Sequence, residues 1–241
     1  MSVKYCYRLF KRVLTLCGAF ASLANATAWA VPCIFPSPNL PPIGGSYLAD
    51  LRDVHARFAS GQILLSDVIH EGFLSSFPPP PLLGTTTHSF GSTVNMNVSV
   101  DGGTTFNPFS APAAVTVKVD STSDVGSSRF FDTEMLQLDI SGGTLPAGVM
   151  IRESPTLASL GATTIEDLGG GNFAISSFFD VFVELTVDGG QTWMPQENGP
   201  THVVLHCPDT GATFSLFLIS ALALVWRARA IGQPDEDARA I

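Results

Sequence analysis

The chain has 241 residues, of which 45% are hydrophobic and only 14% are charged, and it contains 22 glycines and 17 prolines. This composition excludes a coiled coil, a collagen and a highly charged disordered chain. Residues 31–207 carry five basic and seventeen acidic side chains, a formal net charge of −12. We therefore expect no nucleic-acid partner, because phosphate binding requires clustered lysine and arginine.

The first 30 residues have the pattern of a secretory signal peptide. Four basic side chains and no acidic one come first, and an apolar, alanine-rich stretch follows from Val13 to about Leu23. Ala28 and Ala30 provide the small residues that signal peptidase requires, so cleavage is expected after Ala30, with earlier cleavage after Ala26 or Ala28 as alternatives. A membrane anchor is the other interpretation, although the stretch is short for a span of ~20 residues.

Residues 31–87 are expected to form a proline-rich, partly helical segment ahead of the main domain. From Tyr47 to Phe58, apolar side chains recur at helical spacing and predict a short helix. Residues 63–73 fit a strand or a helix, and periodicity does not decide between them. Residues 77–81 read Phe-Pro-Pro-Pro-Pro and predict an extended connector, because proline fixes φ and lacks a backbone donor.

From about residue 88 to residue 207 the pattern predicts antiparallel β-strands. Apolar and polar residues alternate over residues 94–100, 115–119 and 136–140, and further strands are indicated at 182–187 and 203–205. Such alternation between clusters of glycine, aspartate, serine and proline is typical of strands with one buried face. Seven or eight strands with no long helix between them predict an all-β domain, an antiparallel β-sandwich, over residues 88–207.

Two segments of this β region repeat each other with the pattern Ser/Thr-x-Asp-x-Gly-x-Thr-aromatic. The matching residues are Ser99, Asp101, Gly103, Thr105 and Phe106 in the first segment and Thr186, Asp188, Gly190, Thr192 and Trp193 in the second. We expect each aspartate to accept backbone N–H groups of a turn, each glycine to adopt positive φ, and each aromatic ring to pack over the hairpin. The pattern resembles the Asp-box of many secreted β proteins.

The Asp-box also occurs in sialidases, and the rest of the sequence does not support that activity. Sialidases need a tyrosine nucleophile and three arginines. Here Tyr47 lies outside the predicted β region, and the basic residues of that region are Lys118, Arg129 and Arg152, of which only two are arginines. The two aspartates are 87 residues apart, too far for neighbouring propeller blades of ~40–50 residues. The repeat is therefore interpreted as structural, and no enzyme activity, cofactor or metal site is predicted.

Residues 212–226 (ATFSLFLISALALVW) form an uncharged stretch near the C-terminus. As a helix these residues would be ~22 Å long, which is short against a hydrocarbon core of ~30 Å. Snorkelling of Arg227 and Arg229 would help the helix to span, and these arginines predict that the end after Trp226 stays cytoplasmic. Residues 230–241 follow as an acidic tail.

This C-terminal region resembles the bacterial PEP-CTERM type of sorting signal, and most closely its Val-Pro-Asp-Ser-Gly variant. The residues that match are Pro208, Asp209, Gly211 and Thr213 in the motif and Arg227 and Arg229 in the basic cluster. The resemblance implies export, transient anchoring by the tail, and processing by an exosortase-type protease at the envelope of a Gram-negative bacterium. Release toward the cell surface or an extracellular matrix would follow. A plain tail anchor without processing is the alternative.

Removal of both ends leaves two cysteines, Cys33 and Cys207. Export implies an oxidising compartment, so a Cys33–Cys207 disulfide is predicted, with free or intermolecular thiols as the alternative. The function expected is that of a non-enzymatic surface or matrix protein. The alternative is a secreted carbohydrate-binding module or carbohydrate-active enzyme, for which extracellular polysaccharide would be the partner. An exposed row of the phenylalanines would favour that alternative, namely Phe90, Phe106, Phe109, Phe130 and Phe131.

Overall fold

The computed structural model describes residues 33–49 and 54–207, and every regular element among them is a β-strand. The predicted signal peptide with Ala28 and Ala30, the predicted C-terminal helix, the residues that match the sorting signal and the acidic tail lie outside the described residues. Within the described ranges, no helix is long and apolar enough to cross a membrane.

Thirteen strands are present in the described residues. The first four are β1 (Cys33–Phe35), β2 (Ser46–Ala49), β3 (Val54–Phe58) and β4 (Ile63–Glu71). Three long strands follow: β5 (Thr85–Ser99), β6 (Asn107–Val125) and β7 (Ser128–Ser141). The remaining strands are β8 (Met150–Glu153), β9 (Ser159–Gly169), β10 (Asn172–Val181), β11 (Val183–Thr186), β12 (Met194–Pro195) and β13 (Thr201–His206).

Eight of these strands form a closed antiparallel ring. The order around the ring is β10, β13, β2, β4, β5, β6, β7 and β9, and β9 pairs again with β10. The closing strand places Thr163 opposite Phe131 of β7 on one side and opposite Ser177 of β10 on the other. The predicted antiparallel all-β fold is confirmed. The pairing runs continuously around a barrel, so the described strands do not divide into the two separate sheets of the predicted sandwich.

The N-terminal part of the chain differs from its prediction. Tyr47 lies in β2 and Phe58 lies in β3, and no helix forms within residues 46–49 or 54–58. The reason is visible in the burial pattern, because Tyr47 and Ala49 alternate toward the interior, as do Ala56 and Phe58. The boundary predicted near residue 87 is not a break in the sheet, since β2 and β4 belong to the ring.

The connections between strands define two ends of the barrel. The turn end consists of residues 59–62, 100–106, 142–149 and 187–193. The tail end consists of residues 72–84, 126–127 and 170–171, together with Cys33 and Cys207, where the described chain begins and ends. Backbone hydrogen bonds tie neighbouring connections together at the turn end, from Gly102 N to Gln62 O (3.1 Å) and from Gly189 N to Gly148 O (2.9 Å).

The core fills the inside of the ring, as an eight-stranded barrel leaves an interior just wide enough for side chains. It continues to β3, β8 and β11, which lie outside the ring order. The largest fully buried apolar side chains are Phe58, Phe131, Ile165, Ile175 and Leu185. Burial of each contributes ~1.5–3 kcal/mol relative to exposure. Two small apolar cavities of about 30 and 60 Å³ remain, and His70, Met135 and Val203 line both.

Candidate functional site

The first repeated segment forms the turn between β5 and β6. The Ser99 hydroxyl donates to Asp101 Oδ1 (2.7 Å) and accepts from the Gly103 N–H (2.9 Å). Asp101 Oδ1 also accepts from the Thr105 N–H (2.9 Å), and Oδ2 accepts from the Thr105 hydroxyl (2.7 Å). One hydroxyl and one carboxylate thus hold both sides of the turn.

The second segment joins β11 to β12 with the equivalent hydrogen bonds and one more, from the Gln191 N–H. The Thr186 hydroxyl donates to Asp188 Oδ1 (2.7 Å) and accepts from the Gly190 N–H (3.1 Å). Asp188 Oδ1 accepts from the N–H groups of Gln191 (2.9 Å) and Thr192 (3.0 Å). Its Oδ2 accepts from the Thr192 hydroxyl. The sequence repeat is therefore also a repeat of structure.

Glycine and aromatic side chains complete both turns. Gly103 and Gly190 have φ of 93° and 90°, a region that side chains with a Cβ rarely adopt. The Trp193 indole packs against Gly190 and donates Nε1–H to its carbonyl (3.2 Å). Phe106 lies beside Gly103 in the first turn and is partly exposed. The structure places both turns at the turn end of the barrel.

The charged form of each turn aspartate is stabilised by its hydrogen bonds. The backbone N–H of Thr105, followed by its hydroxyl and that of Ser99, lowers the pKa of Asp101 to about 2. The hydroxyl and N–H of Thr192 lower the pKa of Asp188 well below its usual range. Carboxylates held in this way are poor proton donors near neutral pH. Across the described ranges, no group of three or more His, Cys, Asp or Glu residues could hold a metal ion.

A polar cluster that the sequence analysis missed lies beside the second turn. The Arg152 guanidinium is 4.0 Å from the centroid of the Trp193 ring and donates to Glu184 Oε2 from Nη2 (2.7 Å) and Nε (3.0 Å). Burial raises the pKa of the neighbouring Glu153, and the charges of Glu134 and Glu184 act in the same direction. The β8–β11 pairing places Arg152 opposite Glu184. These two residues are 32 positions apart, so no local sequence motif predicts their contact.

An open groove of about 610 Å³ lies between the connection that precedes β2, the end of β4 and the middle of β5. Glu71 and Asn95 lie in it, and the Asn95 amide donates to Glu71 Oε1 (2.8 Å). Phe73 also lines the groove, but its side chain is buried and makes edge contacts with Tyr47 and Phe90. It therefore presents no exposed ring on which a sugar could stack.

Two pairs of polar side chains inside the barrel are joined by hydrogen bonds. The Tyr47 hydroxyl donates to Ser177 Oγ (2.9 Å), and burial raises the pKa of Tyr47 to about 12. His70 Nε2 lies 2.6 Å from Ser92 Oγ, and burial lowers the pKa of His70 to about 4. A neutral imidazole is therefore built into the interior.

We expect the barrel to lose stability as the pH falls from about 6.5 toward 4, because His70 binds a proton more readily in the unfolded chain than in the folded one. The stabilisation that comes from a neutral His70 is fully present above pH 6.5, the pKa of His70 in the unfolded chain. It is lost as the pH falls to about 4, the pKa of His70 in the folded chain, and the total loss is about 3 kcal/mol. Between pH 7 and pH 5 the loss should be roughly 2 kcal/mol. Urea unfolding at the two pH values measures it.

Two variants separate titration of His70 from loss of its hydrogen bond. His70→Gln keeps a polar group for Ser92 but cannot titrate, so its loss between pH 7 and pH 5 should be smaller than that of the wild type. Ser92→Ala keeps the buried imidazole and should retain the full loss. Burial also lowers the pKa of His88, and this contribution is common to both variants. An equal loss in wild type and His70→Gln would contradict the prediction.

The structure brings Cys33 and Cys207 together without joining them. Strand β13 pairs with residues 178–181 of β10, and β1 pairs with residues 173–175 along the same edge. Both cysteines are free thiols that share a hydrogen bond. Burial, with this hydrogen bond as a second cause, raises the pKa of Cys33 to about 12.

No protein-family model, curated protein or solved structure matches the chain. Its function is therefore inferred from its own residues.

Proposed function

We propose that the chain is an exported protein that is held at the cell envelope by its C-terminal apolar segment and processed there by an exosortase-type protease. The observation that carries the proposal is the order of sequence features at the C-terminus. The motif residues come first, namely Pro208, Asp209, Gly211 and Thr213. The uncharged residues 212–226 begin within this motif, and two arginines follow them. The basic and then apolar pattern of residues 1–30 adds a route of export.

The positions of Cys33 and Cys207 support a role in display. Cys33 and Cys207 are in contact, so the segments that flank the barrel join it at one place, the tail end. The two aspartate turns lie at the opposite end. A barrel tethered through residue 207 therefore presents its turn end away from the attachment point. Its formal charge of −12 over residues 31–207 suits a solvated, self-repelling surface protein.

A surface or matrix role accounts for the phenylalanines better than a carbohydrate-binding role does. Phe131 is fully buried, and Phe90 and Phe109 pack against the core. Phe106 lies at the turn end, whereas Phe130 lies on β7 near the tail end. These rings do not form the exposed row that sugar stacking requires. A glycan array probed with the protein tests this point, and specific binding would favour the carbohydrate-binding alternative.

The proposal predicts cleavage of the exported chain near residue 208 in a host that has an exosortase. Mass spectrometry of the mature protein should find a C-terminus that lacks residues 212–241, and a host without the protease should retain the full tail. Asp209→Ala, or Arg227→Ala with Arg229→Ala, should prevent cleavage. Asp235→Ala in the acidic tail is the matched control and should be cleaved normally. Full-length protein in the cytosol of both hosts would overturn the proposal.

A further inference from the structure

The tail end of the barrel exposes large aliphatic side chains on or beside three separate connections. Leu82 and Leu83 precede β5, Val125 ends β6, and Leu168 lies near the end of β9. Leu83 is 78% exposed and Val125 is 66% exposed. Hairpin tips and loops normally carry polar residues and glycine, so apolar side chains on three neighbouring tips indicate a contact surface.

Hydrogen bonds join these three connections into one rim. The Asp167 N–H donates to Ser127 O (2.9 Å), which ties the β9–β10 hairpin to the β6–β7 hairpin. The Arg129 guanidinium donates from Nη2 to Pro80 O (2.6 Å), which ties the β6–β7 hairpin to the proline-rich connection. The four aliphatic side chains therefore belong to one surface of the barrel.

The length of the linker places this rim close to any membrane that holds the tail. Only residues 208–211 separate Cys207 from the apolar stretch, and four residues span at most ~14 Å. Cys33 lies opposite Ile175 of β10. Three further residues of β10 separate Ile175 from the tip of the β9–β10 hairpin. The tip is therefore ~10 Å beyond the level of Cys33. The distance from Cys207 to the hairpin tips is therefore similar to the largest distance from Cys207 to the bilayer surface that the linker permits.

We propose that the tail-end rim docks on the lipid bilayer, with Leu82, Leu83, Val125 and Leu168 inserted at the level of the headgroups. This inference rests on the proposed function, since it requires the tail to be in the membrane. We assign lipid as the partner of this rim because the apolar stretch, which the proposed function places in the bilayer, is separated from Cys207 by only four residues. The rim carries no excess of positive charge, because Arg129 is paired with Asp124 (3.4 Å) and Glu166 and Asp167 lie nearby. Zwitterionic lipid should therefore bind better than anionic lipid.

Hydrogen–deuterium exchange of the full chain tests this docking. The chain is reconstituted in phosphatidylcholine vesicles and compared with the same chain free of lipid. We expect amides of residues 82–84, 125–128 and 168–171 to exchange several-fold more slowly with vesicles, and amides of residues 100–106 and 187–193 to be unchanged. Replacement of the four aliphatic residues by serine should abolish the protection. Val100→Ser with Val187→Ser, two exposed valines at the turn end, is the matched control and should retain it.

Flotation of the vesicles separates failure of this inference from failure of the proposed function. Loss of flotation would show that the tail does not insert, and it would overturn both. Flotation without slowed exchange at the rim would overturn the inference alone. Protection that is already present without lipid would show that the apolar tail of the same chain covers the rim. Protection that rises with the protein-to-lipid ratio would show that a second copy of the chain covers it. Either result overturns docking on lipid. Exchange of buried amides in β6 verifies that each variant is folded.

Discussion

Gly161→Ala is expected to destabilise the barrel by about 3 kcal/mol, the upper end of the cost of adding a methyl group to a packed interior. A Cβ at Gly161 would lie 2.2 Å from the carbonyl oxygen of Phe178 and 2.8 Å from both Phe179 Cδ1 and Thr133 Oγ1. The Phe178 carbonyl belongs to the backbone of β10 and cannot rotate away. Since Gly161 lies on β9, relief of the clash requires the closing strand of the ring to move.

Gly91→Ala is the matched control for this variant. Gly91 also lies in a strand of the ring and has no positive φ, but its Cβ would meet only Leu74 Cδ1 at 2.9 Å. Leu74 is 80% exposed and can turn aside, so we expect a change within about 0.5 kcal/mol. Urea unfolding followed by tryptophan fluorescence and circular dichroism measures both variants. If Gly161→Ala is as stable as Gly91→Ala, then β9 does not close the ring as described.

Oxidation of Cys33 and Cys207 to a disulfide is expected to raise the free energy of unfolding by about 4–5 kcal/mol, because the bond would close a loop of nearly the whole described chain. The two thiols already share a hydrogen bond, so little movement is needed to join them. With a pKa of about 12, the Cys33 thiol is almost entirely protonated at neutral pH. The bond should therefore form slowly without an added oxidant or an oxidising compartment.

Intact-mass spectrometry before and after reduction tests the disulfide on exported protein. We expect reduction to add two hydrogens to the wild type and to lower its urea midpoint. Cys207→Ser serves as the control, and its mass and midpoint should not respond to reductant. An unchanged wild-type mass would rule the bond out. A dimer that dissociates on reduction would instead assign the cysteines to an intermolecular bond.

Local pattern was sufficient to predict several of the strands and the two aspartate turns. Alternation over residues 94–100 and 115–119 lies almost entirely within β5 and within β6, respectively, because period two is a property of the extended chain itself. The turn hydrogen bonds join residues two to four positions apart. The same local reasoning was wrong for residues 47–49, where β2 pairs with β13 and β4, and for residues 54–58, where β3 pairs with β4. Those partners could not be read from helical spacing.

The sequence by itself determined that residues 88–207 form antiparallel β-strands and where the two Asp-x-Gly turns lie, because both depend on local pattern, and it supplied the features from which export and anchoring are proposed. Only the tertiary structure decided that β9 closes a ring, that Arg152 stacks on Trp193, and that Cys33 meets Cys207. Periodicity reports which face of a strand is buried. It does not report which distant strand lies beside it, because that choice depends on packing between residues far apart in the chain.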